Sequence, residues 1–200
     1  MVDLEEREAA TEDLRRIRAL MDRATRYSHL SGWACIGAGI VAIAGAIACW
    51  KLRVNFNHPF CAGPLAAIWS VVLALAFAQG VAFTVANARR KGEPVWSPLT
   101  QQVVTAILPS CFVGAAVTGY GLQTGQLELL PPIWMLAYGM SLLALGLFAG
   151  TKVKVTGILF LVTGAAGLWW FRDYGLRRLL VSFGGFHILL GTVIAWKYRV

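Results

Sequence analysis

His187 is the side chain whose type and place most invite chemistry. It stands near the middle of an apolar run close to the C-terminus, and, tyrosines and cysteines aside, no other ionisable side chain lies so deep inside such a run. A charge at the centre of a bilayer costs about 2.5–3.5 kcal/mol on insertion scales. The ring is therefore expected to be neutral, to face other helices and to hold a partner. Gln79, Thr118, Tyr138 and Ser141 lie in other apolar runs and are its candidate partners, so that with His187 they form a candidate polar core. Three chemistries suit such a histidine: a proton relay, a haem ligand, or a polar contact for a quinone-like molecule. A plain hydrogen bond across a helix bundle suits it equally. Bis-histidine haem ligation needs a second histidine at the same depth, and His29 and His58 fall near opposite faces of the membrane instead.

The remaining reactive side chains point away from catalysis. After the N-terminal segment the acids are Glu93, Glu128 and Asp173, all in predicted loops, which argues against carboxylate hydrolysis, two-metal chemistry and carboxylate proton pumping. Gly37, Gly39 and Ala42 approach a dinucleotide fingerprint, but they sit inside an apolar run with no preceding strand and read as helix packing. His58 and Cys61 offer two ligands where zinc takes three or four, so no metal and no resident cofactor is expected. Cys49 and Cys61 flank one loop; a disulfide between them and two free thiols both stay open, because spacing does not give the geometry a bridge needs. Cys35 and Cys111 read as small packing residues within spans. Pro109 releases a backbone carbonyl, and with Gln79 and Ser110 it marks a place where polar groups could line a path.

These residues are carried by long apolar segments. Only 14% of the 200 residues are charged, against roughly a quarter in a soluble domain, and the mean hydropathy is +0.63. A hydrocarbon core of about 30 Å takes ~20 apolar residues per helix. The expected fold is an all-α polytopic membrane helix bundle with spans at about 30–50, 64–88, 103–120, 131–149, 153–170 and 179–196. Pro64 and the Pro131-Pro132 pair suit helix starts. Trp50, Trp169, Trp170, Trp196 and Tyr198 lie at span ends, as an aromatic belt requires. Residues 1–29 read as an amphipathic helix, acidic at its start and basic toward the membrane, and not as a signal peptide.

Charge sets the sidedness. Thirteen Lys and Arg fall on the side of the N-terminal segment, Arg89–Lys91, Lys152, Lys154, Lys197 and Arg199, and five on the other, at Lys51, Arg53, Arg172, Arg177 and Arg178. The positive-inside rule makes the first side cytoplasmic, with both termini inside; the three arginines of the last external loop oppose it locally. Small residues mark close helix approaches: Gly32, Cys35, Gly39, Ala42 and Ala46 in the first span, Gly146 and Gly150 in the fourth, Gly157 and Gly164 in the fifth, Gly184 and Gly191 beside His187 in the sixth. No repeat relates the two halves, which disfavours an inverted-repeat transporter.

Several segments together resemble a family of uncharacterised multi-pass bacterial inner-membrane proteins of this length. They are IRALMDRATRYSHLSG from Ile17 to Gly32, ARRKGEPVW from Ala88 to Trp96, Tyr138-Gly139, FHILLG from Phe186 to Gly191, and Lys197-Tyr198. The resemblance implies the same architecture and a bacterial inner-membrane location, and brings no reaction.

The functional expectation is a non-enzymatic accessory, scaffold or regulatory protein acting through protein or lipid contacts. Its candidate cytoplasmic docking surface is Arg15, Arg16, Arg23, Arg26, Arg89, Arg90, Lys91 and Trp96. The expected partners are the lipid bilayer, anionic lipid at the cytoplasmic face, and a membrane or cytoplasmic protein or a second copy of the chain. Nucleic acid is not expected, since the basic face lies against a negatively charged membrane. The alternatives are a small-solute transporter or channel, with Gln79, Pro109 and His187 near the path, and a haem- or quinone-binding membrane subunit centred on His187.

Overall fold

The computed structural model describes residues 11–12, 31–169 and 174–197. Apart from residues 11–12, the expected N-terminal helix, with Arg15, Arg16, Arg23 and Arg26, lies outside the described residues, as do Trp170, Arg172 and Tyr198. All regular elements among the described residues are helical. Six helices are long and apolar enough to cross a bilayer, as the apolar runs predict.

We number them α1 (Gly32–Lys51), α2 (Ala62–Lys91), α3 (Pro98–Thr124), α4 (Leu130–Ala149), α5 (Thr151–Trp169) and α6. The last is one rod in three pieces: Gly175–Leu179, a π-helical stretch Leu180–Phe186, and His187–Lys197. Local chemistry sets the ends. The Ser31 hydroxyl accepts the Ala34 N–H and opens α1, and the Ser97 hydroxyl accepts the Thr100 N–H and opens α3, five residues before the apolar core of that span. Gly92 (φ 66°) closes α2 and Gly125 (φ 75°) closes α3, each in the left-handed conformation glycine adopts without strain. At 30 residues, α2 spans about 45 Å, well beyond a ~30 Å hydrocarbon core. Its last turn, Arg89–Lys91, can therefore stand clear of the lipid.

Glycines determine which helices touch. A Cβ built on Gly191 would lie 2.5 Å from the Gly32 carbonyl oxygen and 2.8 Å from the Ile36 nitrogen, and one on Gly39 would lie 2.7 Å from the Gly184 oxygen. Along this α1–α6 seam, backbone meets backbone. Gly139 of α4 and Gly157 of α5 face each other in the same way, each Cβ position 2.9 Å from the other's carbonyl oxygen. Gly37 and Gly45, on the face of α1 opposite to Gly32 and Gly39, receive Gln79 and Val72 of α2. Gly114 and Gly121 of α3 receive Trp134 and Leu130 of α4. Thus α1, α4, α5 and α6 form the centre. The outer helices α2 and α3 bury only 6% of their apolar windows, against 56% for α4, which leaves most of their side chains on the outside of the bundle.

Gly150 departs from the GxxxG expectation. It has φ 96°, no atom near its Cβ position, and ends α4 in the tight turn to α5. Gly146 alone packs, against Lys154. At the end of the bundle opposite Arg89–Lys91, Val54, Phe56 and Leu127 of the connections turn inward and form one buried cluster with Cys49, Leu65, Leu130 and Leu179 of the helix ends. Phe56 fills the space that Gly175 leaves beside Pro131.

Gly191→Leu should therefore separate α1 from α6 and lower the unfolding free energy in detergent by roughly 1–3 kcal/mol, the usual cost of overpacking. Gly80→Ala, where nothing lies within 4 Å, should stay within about 0.5 kcal/mol of the parent. Equal effects of the two substitutions would contradict the seam.

Candidate functional site

The centre of the bundle is built around the pair Tyr138–His187. His187 opens the final piece of α6, directly after the π-helical stretch, and is 8% exposed. Its Nε2 lies 2.7 Å from the Tyr138 hydroxyl of α4. In the neutral ring with the proton on Nδ1, the tyrosine donates and Nε2 accepts. Nδ1 is then buried without a hydrogen-bond partner among the described residues.

Aromatic rings enclose this pair. Phe160 of α5 is 0% exposed and meets Tyr138, Phe183, Phe186 and His187 at centroid distances of 5.1, 5.0, 5.3 and 5.7 Å, each close to edge-on. Phe183 stacks on the histidine at 6.0 Å and 17°. Such pairs add about 0.5–1.5 kcal/mol each beyond area burial. They also occupy the space between α5 and α6, whose backbones do not approach closely along their middles. Polar links join these two helices near both ends: Arg178 Nη1 donates to the Gly167 carbonyl at 2.7 Å, and Lys152 Nζ to the Val193 carbonyl at 2.8 Å. Each carbonyl lies near a helix C-terminus, where basic side chains are favourable. Arg178 and Arg177, whose guanidinium lies 5.2 Å from the Tyr174 ring centroid, thus have local roles in the loop that opposes the charge rule.

The other members of the candidate core go elsewhere. Gln79 Nε2 donates to the Ala34 carbonyl at 3.0 Å, joining α2 to α1. Thr118 accepts from Trp134 Nε1 at 2.9 Å and donates to the Gly114 carbonyl at 2.7 Å. Ser141 donates at 3.0 Å to the Ala106 carbonyl, next to the Thr105 carbonyl that Pro109 deprives of its helical donor. The last two join α3 to α4. Of the five residues, only Tyr138 and His187 come together; Gln79 and α6 occupy opposite faces of α1. The threonines at 105, 124, 156, 163 and 192 bond back to the carbonyl four residues before.

At the basic end, Arg89, Arg90, Lys91 and Trp96 are exposed. Cys49 and Cys61 are free thiols packed in the cluster at the opposite end; Cys35 and Cys111 are also free. Among the described residues no three His, Cys, Asp or Glu side chains are grouped to hold a metal. The burial of Phe56 and the ring of Phe160, Phe183 and Phe186 escape sequence reading. An apolar residue in a span or loop gives no signal of which helix it will meet.

A double-mutant cycle on Tyr138→Phe and His187→Leu should give a coupling of about 0.6–1.7 kcal/mol, the range for buried hydrogen bonds between membrane helices. Strict additivity would show that the pair is not a working bond.

Compared with protein-family models, with curated proteins and with solved structures, the chain matches none.

Proposed function

We propose that the chain is a non-enzymatic protein of the bacterial inner membrane that works through contacts, as an accessory, scaffold or regulatory partner, with both termini in the cytoplasm. One observation carries the reading: each polar candidate in the spans bonds to a neighbouring helix. Gln79 holds α1 to α2, Thr118 and Ser141 hold α3 to α4, and Tyr138–His187 holds α4 to α6. A transport path needs polar groups turned toward one channel, and these turn toward separate seams. The surface left for recognition is the basic end with Arg89, Arg90, Lys91 and Trp96, all exposed. Its sidedness rests on the excess of Lys and Arg there, and the bacterial membrane on the motif resemblance. Anionic lipid attracts this end, by about 1 kcal/mol per basic residue, and holds it where an acidic membrane-associated protein can dock.

A photoreactive residue at Trp96, activated in native membranes, should give a reproducible protein adduct on mass spectrometry of the co-purified material. Its yield should fall several-fold when Arg89, Arg90 and Lys91 are changed together to Gln. Absence of any reproducible adduct would remove the basis of the proposal. A co-purifying chromophore whose visible band is lost on His187→Ala would replace it with the cofactor reading.

A further inference from the structure

The end of α1 holds an arginine where its fold calls for glycine. Val54 N–H donates to the Cys49 carbonyl at 2.8 Å and Arg53 N–H to the Trp50 carbonyl at 3.1 Å, the paired hydrogen bonds of a Schellman motif. Helix α2 ends in the same pattern, Glu93 N–H to Ala88 at 3.0 Å and Gly92 N–H to Arg89 at 3.2 Å, with glycine at the left-handed position. In α1 that position is Arg53, with φ 56°; among the described residues no other non-glycine has a positive φ. A Cβ is disfavoured there. The helix dipole favours a base near a C-terminus, but Lys51 already supplies one within the last turn and needs no left-handed backbone.

Arg53 lines a cavity of about 310 Å³ with Cys49, Trp50, Val54, Asn55 and Leu176. Its charged and amide side chains are Arg53 and Asn55. Among the described residues the Arg53 guanidinium has no hydrogen bond or ion pair. Asn55 accepts the Asn57 N–H through Oδ1 at 2.9 Å, which leaves its amide N–H groups for another acceptor. Trp50 and Leu176 add apolar lining, and Trp50 stands at a span end, the depth of an aromatic belt. Hydrogen-bond donors and apolar side chains in one lining suit a molecule with an anionic head and an apolar tail. The geometry points to a seat for the phosphate or carboxylate head group of a membrane amphiphile, held by Arg53 and Asn55, with its chain along Trp50 and Leu176. The site lies at the end of the bundle opposite Arg89–Lys91 and is independent of the partner proposed there.

The test uses the full chain in neutral detergent, with thermal unfolding followed on addition of phosphatidylglycerol, phosphatidylcholine or inorganic phosphate. Phosphatidylglycerol should raise the unfolding temperature of the parent and phosphatidylcholine should not. Arg53→Gly keeps the motif and relieves its backbone, so without lipid it should unfold no earlier than the parent. Its apparent affinity for phosphatidylglycerol should fall about tenfold, the worth of one charge-assisted contact. A full phosphatidylglycerol response in Arg53→Gly would overturn the site. Earlier unfolding of that variant without lipid would overturn it too, by showing that Arg53 serves the fold. A response to inorganic phosphate equal to that of the lipid would overturn the amphiphile as the source.

Discussion

Lipid as a solvent is the constraint on which this structure depends. Hydrocarbon outside a bundle is as apolar as the side chains within, so apolar burial cannot drive its helices together, and unpaired polar groups find no water. What remains is close backbone approach and internal hydrogen bonding. The chain uses both. Gly32, Gly39, Gly184 and Gly191 bring α1 and α6 into backbone contact, and Gly139 and Gly157 do the same for α4 and α5. Polar links across α1–α2, α3–α4 and α4–α6 then add direction to seams that shape alone would leave free to slide.

The exception is the space between α5 and α6. Their backbones stay apart, and the gap holds Phe160 with Phe183, Phe186 and His187. The histidine is thus more than an isolated polar group in an apolar core. It terminates a π-helical stretch, stacks on Phe183 and bonds Tyr138, so one ring ties α4 to α6 while Phe160 wedges α5 against both. The residue type that suggested proton or cofactor chemistry also suits a packing element, because imidazole offers an aromatic face and a hydrogen-bonding edge together. In the proposed function recognition belongs to the ends, where Arg89–Lys91 and Arg53 stand exposed.

Much of the architecture was legible because it is local. Apolar runs of span length, prolines at helix starts, and glycines at helical spacing are properties of neighbouring residues, and six membrane-length helices follow from them. Partner choice was not. His187 had four polar candidates in other runs, and only the order of helices around the bundle selects Tyr138. Gly150 shared its spacing with Gly146, yet the short connection to α5 needed its positive φ for a turn. Val54 and Phe56 read as loop residues; they are buried because they meet Leu127 and the helix ends at Leu65, Leu130 and Leu179, a long-range fact. The Arg53 conformation is also hidden, since an arginine after a helix gives no hint that a glycine's place is being filled. The expected N-terminal helix falls almost wholly outside the described residues.

The central claim is that the polar interior is closed and serves to join helices. Accessibility of position 187 in the membrane tests it most directly. With Cys35, Cys49, Cys61 and Cys111 replaced by alanine and a single thiol introduced by His187→Cys, a small charged thiol reagent added from either side of native membranes should leave the protein unlabelled. Denaturation should then allow full labelling. Rapid labelling in the intact membrane would contradict the account, because it would require a water-filled route to the middle of the bundle.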